Sequence, residues 1–236
     1  MLGKTALITG AYGGLGKEVS IELAKNDCNL FLVGRDSLKI QNLIKEIKSY
    51  DYGVNIQGKA VDLSKDSDVK ALLNVLLNND IHIDILINNA GVFPIKNILE
   101  STDGDFDNCF AVNIRTPFIL SRDLGKKMIS NNWGRIVNIG SSSSYNGSGE
   151  TGIYCASKHA LLGLSRSLYQ EFKDSGVRVY SVSPGSIQTP MGAIDTRQDY
   201  STFINPKEVA EYIIFIITYD NEMISEEIRM NRITIK

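Results

Sequence analysis

The sequence is short of several things, and each shortage narrows what the protein can be. An excess of charge of one sign is missing: 25 Lys and Arg stand against 27 Asp and Glu, a formal net charge of −2. With no basic run either, a nucleic-acid partner is not expected. Long apolar runs are missing. The stretch from Tyr212 to Thr218 is only seven residues, far below the length that spans a bilayer, so no membrane segment is expected. Cysteine is scarce, with Cys28, Cys109 and Cys155 scattered along the chain. Three is an odd number and the spacing matches no metal site, so neither a disulfide framework nor a bound metal is expected. This usage fits a reducing compartment, and with no room for a signal peptide before the first strand the expected location is cytoplasmic. Repeats, linkers and low-complexity segments are absent apart from the short serine run Ser141–Ser144. At 236 residues, 43% hydrophobic and 22% charged, the chain reads as one globular domain over residues 1–236.

What is present is first a pair. Tyr154 and Lys158 stand four residues apart at the start of a helical pattern, so they share one helix face. A nearby ammonium favours phenolate and is expected to lower the tyrosine pKa from its usual value near 10. Such a phenol can exchange a proton with an alcohol or carbonyl oxygen. Cys155 lies beside it with no base nearby in sequence and reads as a small core residue rather than a nucleophile. His82, in a loop, and His159, on another helix face, are not expected to be catalytic.

The second feature is the turn Gly10-Ala11-Tyr12-Gly13-Gly14-Leu15-Gly16, with an apolar strand, Thr5–Thr9, before it. An amphipathic helix carrying Val19, Ile21, Leu23 and Ala24 follows. Gly10 suits a tight turn, Gly14 a close approach to a pyrophosphate, and Gly16 close helix–strand packing. Phosphates would sit at the helix N-terminus, where free N–H groups and the dipole favour anions. The Gly-x-x-x-Gly-x-Gly spacing departs from the common Gly-x-Gly-x-x-Gly fingerprint.

The rest of the chain alternates. Strands are expected at Asn29–Val33, Asn55–Val61, Ile83–Asn88, Arg135–Ile139, Val177–Val182 and Glu227–Ile233. Helices are expected at Ser37–Tyr50, Lys65–Asn78, about Phe106 to Ser130, Ile153–Ser175 and Pro206–Tyr219. Gly185 to Asn205 has no clear period. The alternation implies an α/β, Rossmann-like, doubly wound sheet of mainly parallel strands with helices on both faces and ligands at the strands' carboxyl ends.

In this setting further motifs fall in order: Asp62-Leu63, Asn88-Asn89-Ala90-Gly91, Asn113, Ser141, Tyr154-x-x-x-Lys158 and Pro184-Gly185-x-x-x-Thr189. With the glycine turn they make the chain resemble the short-chain dehydrogenase/reductase family in its compact single-domain branch. The resemblance weakens after Pro184-Gly185. It implies seven strands, in the order 3-2-1-4-5-6-7, a nicotinamide cofactor, and a homodimer or homotetramer. It implies an oxidoreductase interconverting a small-molecule carbonyl and a secondary alcohol, with Asn113, Ser141, Tyr154 and Lys158 catalytic. Hydride would pass between nicotinamide and substrate carbon. Tyr154 would give the proton, Ser141 would stabilise the oxygen, and Lys158 would tune Tyr154 and hold the ribose. Ser141 is chosen over Ser142 by its separation from Tyr154.

Cofactor contacts are then expected from Gly10, Tyr12, Gly13, Gly14, Leu15, Gly16, Arg35, Asp62, Leu63, Asn89, Ala90, Gly91, Tyr154, Lys158, Pro184, Gly185, Ile187 and Thr189. Three of these carry alternatives. Asp62 can bind the adenine amino group or cap the next helix. Asn89 can touch the cofactor or brace the sheet. Asn113 can hold a relay water or be a buried amide satisfied by backbone. At the end of the second strand, Gly34 and Arg35 favour NADP(H), while Asp36 keeps NAD(H) possible. The segment from Met191 to Asn205 would form a short lid. The tail departs from the family's fatty-acyl reductase branch, which puts a carrier-protein substrate in doubt and leaves sugar derivatives, ketones and small keto metabolites open. A nucleotide-sensing regulator on the same fold is the alternative, and it need not keep Tyr154.

Overall fold

The computed structural model describes residues 1–233. Seven strands form one sheet in the order β3-β2-β1-β4-β5-β6-β7. They are β1 (Thr5–Thr9), β2 (Asn29–Gly34), β3 (Ile56–Ala60), β4 (Ile85–Asn88), β5 (Gly134–Ile139), β6 (Val177–Pro184) and β7 (Glu227–Met230). Every pairing is parallel. The helices are α1 (Gly14–Lys25), α2 (Ser37–Ser49), α3 (Asp66–Asn78), α4 (Asp103–Phe110), α5 (Thr116–Ser130), α6 (Gly152–Phe172) and α7 (Pro206–Thr218).

Alternation along each strand builds two cores. Ile8, Leu32, Ile87 and Val137 point to the side covered by α1 and α7, where Leu23 and Ile213 meet them. Their neighbours Leu7, Phe31, Leu86 and Ile136 point to the side covered by α3, α5 and α6, against Leu72, Leu120 and Leu168. Strands buried on both faces must read as continuous apolar runs, and these do.

One chain of polar groups runs through this core along the sheet. Asn88 donates to the Asn138 Oδ1 at 2.7 Å, across the β4–β5 register. Asn138 in turn donates to Ser165 of α6 at 2.9 Å. That chain ties the strand ends behind the site to the helix that carries Tyr154.

The sequence reading of the elements needs three main corrections. The helix expected from about Phe106 to Ser130 begins at Asp103, and a π-helical turn at Ala111–Arg115 interrupts it. Thr102 and Asp105 form a capping box that fixes the earlier start. Asp62 does not cap α3, which opens at Asp66 behind Lys65; its carboxylate instead accepts from Ser64 Oγ at 2.7 Å and Ser64 N at 3.1 Å. The last strand ends at Met230, short of Ile233. The aperiodic segment after Gly185 holds two short 3-10 turns, Gly192–Ile194 and Tyr200–Thr202, and is pinned by a bridge between Ile187 and Ile204.

Candidate active site

The site forms where the strands end. A parallel sheet leaves a crevice at its carboxyl edge, on either side of the point where strand order reverses. Here that point lies between β1 and β4, and a cavity of about 510 Å³ opens there. Its lining includes Gly10, Tyr12, Gly13, Gly14, Leu15, Arg35, Asp62, Leu63, Asn89, Ala90, Gly91, Ser141, Tyr154, Lys158, Pro184, Gly185, Ile187 and Thr189. Two residues of the expected set do not line it: Gly16 and Asn113.

Three glycines of the turn have a steric reason. Gly10 sits at φ +64°, in the left-handed region. A Cβ on Gly14 would lie 2.4 Å from Thr189 Cγ2, so the segment after β6 closes directly over the start of α1. A Cβ on Gly16 would lie 2.3 Å from the Gly10 carbonyl oxygen. Gly16 therefore supports the turn from behind, as close helix–strand packing requires. Asn89 donates its side-chain amide to Thr9 O at 2.9 Å and Gly10 O at 3.1 Å. Thr9 Oγ1 accepts from the backbone N–H groups of Asn89 and Ala90, each at 3.0 Å. Asn89 thus braces the turn while remaining on the cavity wall.

The end of β2 separates Arg35 from Asp36. The Asp36 carboxylate caps α2, accepting from Leu38 N at 2.9 Å and Lys39 N at 3.1 Å. Arg35 is exposed, lines the cavity and has no hydrogen bond or ion pair among the described residues. The Tyr12 ring packs over Gly34, where a Cβ would lie 2.4 Å from the ring edge, and Lys39 stands 5.6 Å from the ring centre.

Tyr154 and Lys158 are buried on α6. Lys158 Nζ donates to Ile139 O at 2.7 Å and lies 5.7 Å from the centre of the Tyr154 ring. Burial drives both groups toward their neutral forms. The Tyr154 phenol is pushed up to about 12 by desolvation, and the Ser141 hydroxyl pulls it back. The Lys158 ammonium is pushed down to about 8 by desolvation. The expected lowering of the tyrosine by the lysine is therefore reversed, because desolvation outweighs a cation whose hydrogen bond goes to a carbonyl.

Ser141 heads the 3-10 turn Ser142–Ser144, its Oγ accepting from Ser143 N at 3.1 Å and its own N–H donating to Ser144 Oγ at 3.2 Å. These bonds fix the hydroxyl beside Tyr154. Phe93 packs edge-on against the Tyr154 ring with centres 4.6 Å apart. Asn113 sits in the π turn behind the wall. Its Oδ1 accepts from Val92 N at 2.9 Å, and its Nδ2 donates to Val92 O at 3.1 Å and Ser157 Oγ at 2.9 Å. The side chain has the geometry of a buried amide satisfied largely by backbone, 3.4 Å from where a Cβ on Gly91 would stand.

Cys155 is buried and its Sγ lies 3.3 Å from Thr151 Oγ1. His159 contacts Cys155 O, and His82 lies at the other end of the sheet beside Asp84 and Asn131. Several lining residues escaped the sequence reading: Phe93, Asn108, Ser143, Asn146 and Ser148 among them. They come from loops and from α4, where no periodic or glycine signal marks a wall.

The comparisons agree with this geometry. A family model described as short chain dehydrogenase matches residues 4–199. A 3-oxoacyl-(acyl-carrier-protein) reductase of Rickettsia conorii is 33% identical over 92% of this chain and 90% of its own length. An uncharacterized oxidoreductase of Thermotoga maritima is 35% identical over 79% of this chain and 73% of its own. A metagenomic short-chain oxidoreductase solved in complex with NADP is 28% identical and superposes with a TM-score of 0.86, covering 99% of both chains. With the glycine turn, the serine turn and the Tyr154–Lys158 face all on one crevice, the chain belongs to the short chain dehydrogenase family.

Proposed function

We propose that the protein is an NADP(H)-preferring oxidoreductase that interconverts a carbonyl and a secondary alcohol. One observation carries the reading: the turn at Gly10–Leu15 and the pair Tyr154 and Lys158, remote in sequence, line a single cavity. A dinucleotide's pyrophosphate would sit at the N-terminus of α1, where Gly13, Gly14 and Leu15 line the cavity. The nicotinamide supplies the hydride chemistry when bound.

The chain's own residues then do three things. Tyr154, neutral at working pH, donates its proton to the oxygen of a carbonyl being reduced, and a proton from solvent water replaces it before the next turnover. Ser141 holds that oxygen, oriented by the bonds from Ser143 and to Ser144. Lys158, positioned by Ile139 O, holds the ribose and lowers the cost of a transient phenolate. Asn113 fixes the loop at Val92 through its side chain, which also donates to Ser157 of α6.

The preference for NADP(H) rests on the division of labour after β2. Asp36 is committed to α2, so it does not reach for a ribose hydroxyl. Arg35 is uncommitted at the rim, where a 2′-phosphate would lie. Single-turnover oxidation of NADPH with a panel of ketones, aldehydes and keto-sugars tests the function. At least one of them should oxidise the bound cofactor; a protein that binds NADPH and transfers hydride to none would overturn the reading.

A further inference from the structure

The cavity has a second end, beyond Tyr154 and away from the glycine turn. Its wall comes from the turn after Ser141, the loop leading to α6, and α4. Asn108, Ser142, Ser143, Asn146 and Ser148 all line it. The hydroxyls of Ser142, Ser143 and Ser148 and the amide of Asn108 make no hydrogen bond among the described residues. Asn146 offers its Nδ2 only a 3.5 Å contact to Ser142 O, and its Oδ1 has no partner.

The adjoining wall is different in kind. Arg197 is engaged on both sides: Asp195 accepts from Nε at 2.7 Å and Nη2 at 3.1 Å, and Glu150 accepts from Nη1 at 3.0 Å. Asp195 also holds Gln198, whose other end takes Ser186 and Arg232. That wall is a closed network. It offers no free cation for an acid group, and it fixes the shape against which the serine side works.

We infer, on the reading of the site given above, that the substrate is an uncharged, polyhydroxylated carbonyl compound of sugar-like polarity. A ligand that fills this end displaces water from several hydroxyls and amides that the protein itself leaves unpaired. Asn108, Ser142, Asn146 and Ser148 are exposed and Ser143 is half-buried, so water satisfies them in the free protein; a hydroxylated ligand replaces those water contacts, and an alkyl chain laid over them does not. Phe93, edge-on to Tyr154, supplies an apolar surface for C–H groups beside the reacting carbon. Directional polar groups with one aromatic wall suit a compact polyol better than an extended acyl chain.

The test compares two ketones matched in carbon skeleton with a thioester-borne one. The full-length protein is assayed by NADPH oxidation with L-erythrulose, 2-butanone and the N-acetylcysteamine thioester of acetoacetate. Erythrulose should be favoured over 2-butanone by roughly a hundredfold or more in kcat/KM, as sites built to hydrogen-bond a substrate reject its deoxy analogue. Asn108→Ala and Ser148→Ala should each narrow that ratio, with the loss falling on erythrulose. Equal use of the three, or preference for butanone or the thioester, overturns the inference and leaves the carbonyl-reductase reading standing. A ratio that persists undiminished in both variants also overturns it, since it then reflects the reactivity of the compounds. If none of the three is reduced by protein that binds NADPH, the inference falls, and a wider panel decides whether the carbonyl-reductase reading falls with it.

Discussion

At the scale of single residues, burial decides more than sequence spacing suggests. Tyr154 and Lys158 were legible as a pair because four residues on a helix put them on one face. The sign of their pKa shifts was not legible, because desolvation depends on what covers them. That burial gives a pH signature in the free protein. Lys158 titrates near 8 when folded and 10.5 when unfolded. Below pH 8 both states are protonated and the cost of burying the ammonium is fully present. Between 8 and 10.5 the unfolded state binds more protons, so stability should rise with pH, by on the order of 3 kcal/mol at most. Tyr154, raised to about 12, acts in the opposite direction only above pH 10. Urea unfolding from pH 7.5 to 10 should show the rise in wild type and a flatter profile in Lys158→Met. Identical profiles would mean that the lysine is not buried as described.

Arg35 supports a second prediction at this scale. A charge-assisted bond to a 2′-phosphate contributes on the order of 1.5–3 kcal/mol. Arg35→Ala should therefore weaken NADPH binding by roughly tenfold to a hundredfold and leave NADH almost unchanged. Fluorescence titration of both cofactors into both proteins measures this. Equal affinity of the wild type for NADH and NADPH would contradict the phosphate site. The ambiguity between Arg35 and Asp36 could not be settled from the sequence. It turns on which side chain the N-terminus of α2 claims, and the cap geometry shows that it claims Asp36.

At the scale of elements, strands and helices followed from apolar period and glycine placement, and their ends did not. Thr102 and Asp105 start α4 earlier than the apolar pattern does, because capping satisfies free N–H groups without any apolar residue. The π turn at Ala111–Arg115 had no signal, since its sequence is as helical as its neighbours. The caps can be tested directly. Asp36→Ala removes both bonds to the first turn of α2 and should cost about 1 kcal/mol of stability. Gly14→Ala should do something else: its Cβ meets Thr189, so cofactor affinity should fall more than stability does. Comparing NADPH titration with denaturant midpoints for the two variants separates the effects. A Gly14→Ala protein with unchanged NADPH affinity would remove the Thr189 contact from the account.

At the scale of the whole molecule, a parallel sheet collects its strand ends on one edge, and this is why motifs far apart in sequence meet. The meeting of the glycine turn, Asn89, Ser141 and Tyr154 was legible because the fold class dictates it. The wall at Asn108 and Ser148 was not, because these residues reach the cavity through tertiary packing alone. The opposite end of the molecule is held by Arg135, which is 1% exposed and donates to Ile217 O at 3.1 Å, to Gly134 O and to Asp220. It fastens α7 to β5, far from the cavity. Arg135→Ala leaves those carbonyls without a buried donor and should cost about 2–4 kcal/mol, with cofactor affinity preserved in the folded fraction. Thermal unfolding and NADPH titration together check both halves of that statement.

The claim on which the rest depends is that Tyr154 passes the proton while the cofactor passes the hydride. Tyr154→Phe keeps the ring against Phe93 and removes only the hydroxyl. Single-turnover hydride transfer from NADPH, on any carbonyl compound the wild type reduces, should slow by roughly a hundredfold or more, in line with the loss of a general acid. NADPH affinity measured on the same samples should change little. Near-wild-type hydride transfer by Tyr154→Phe would contradict the account outright.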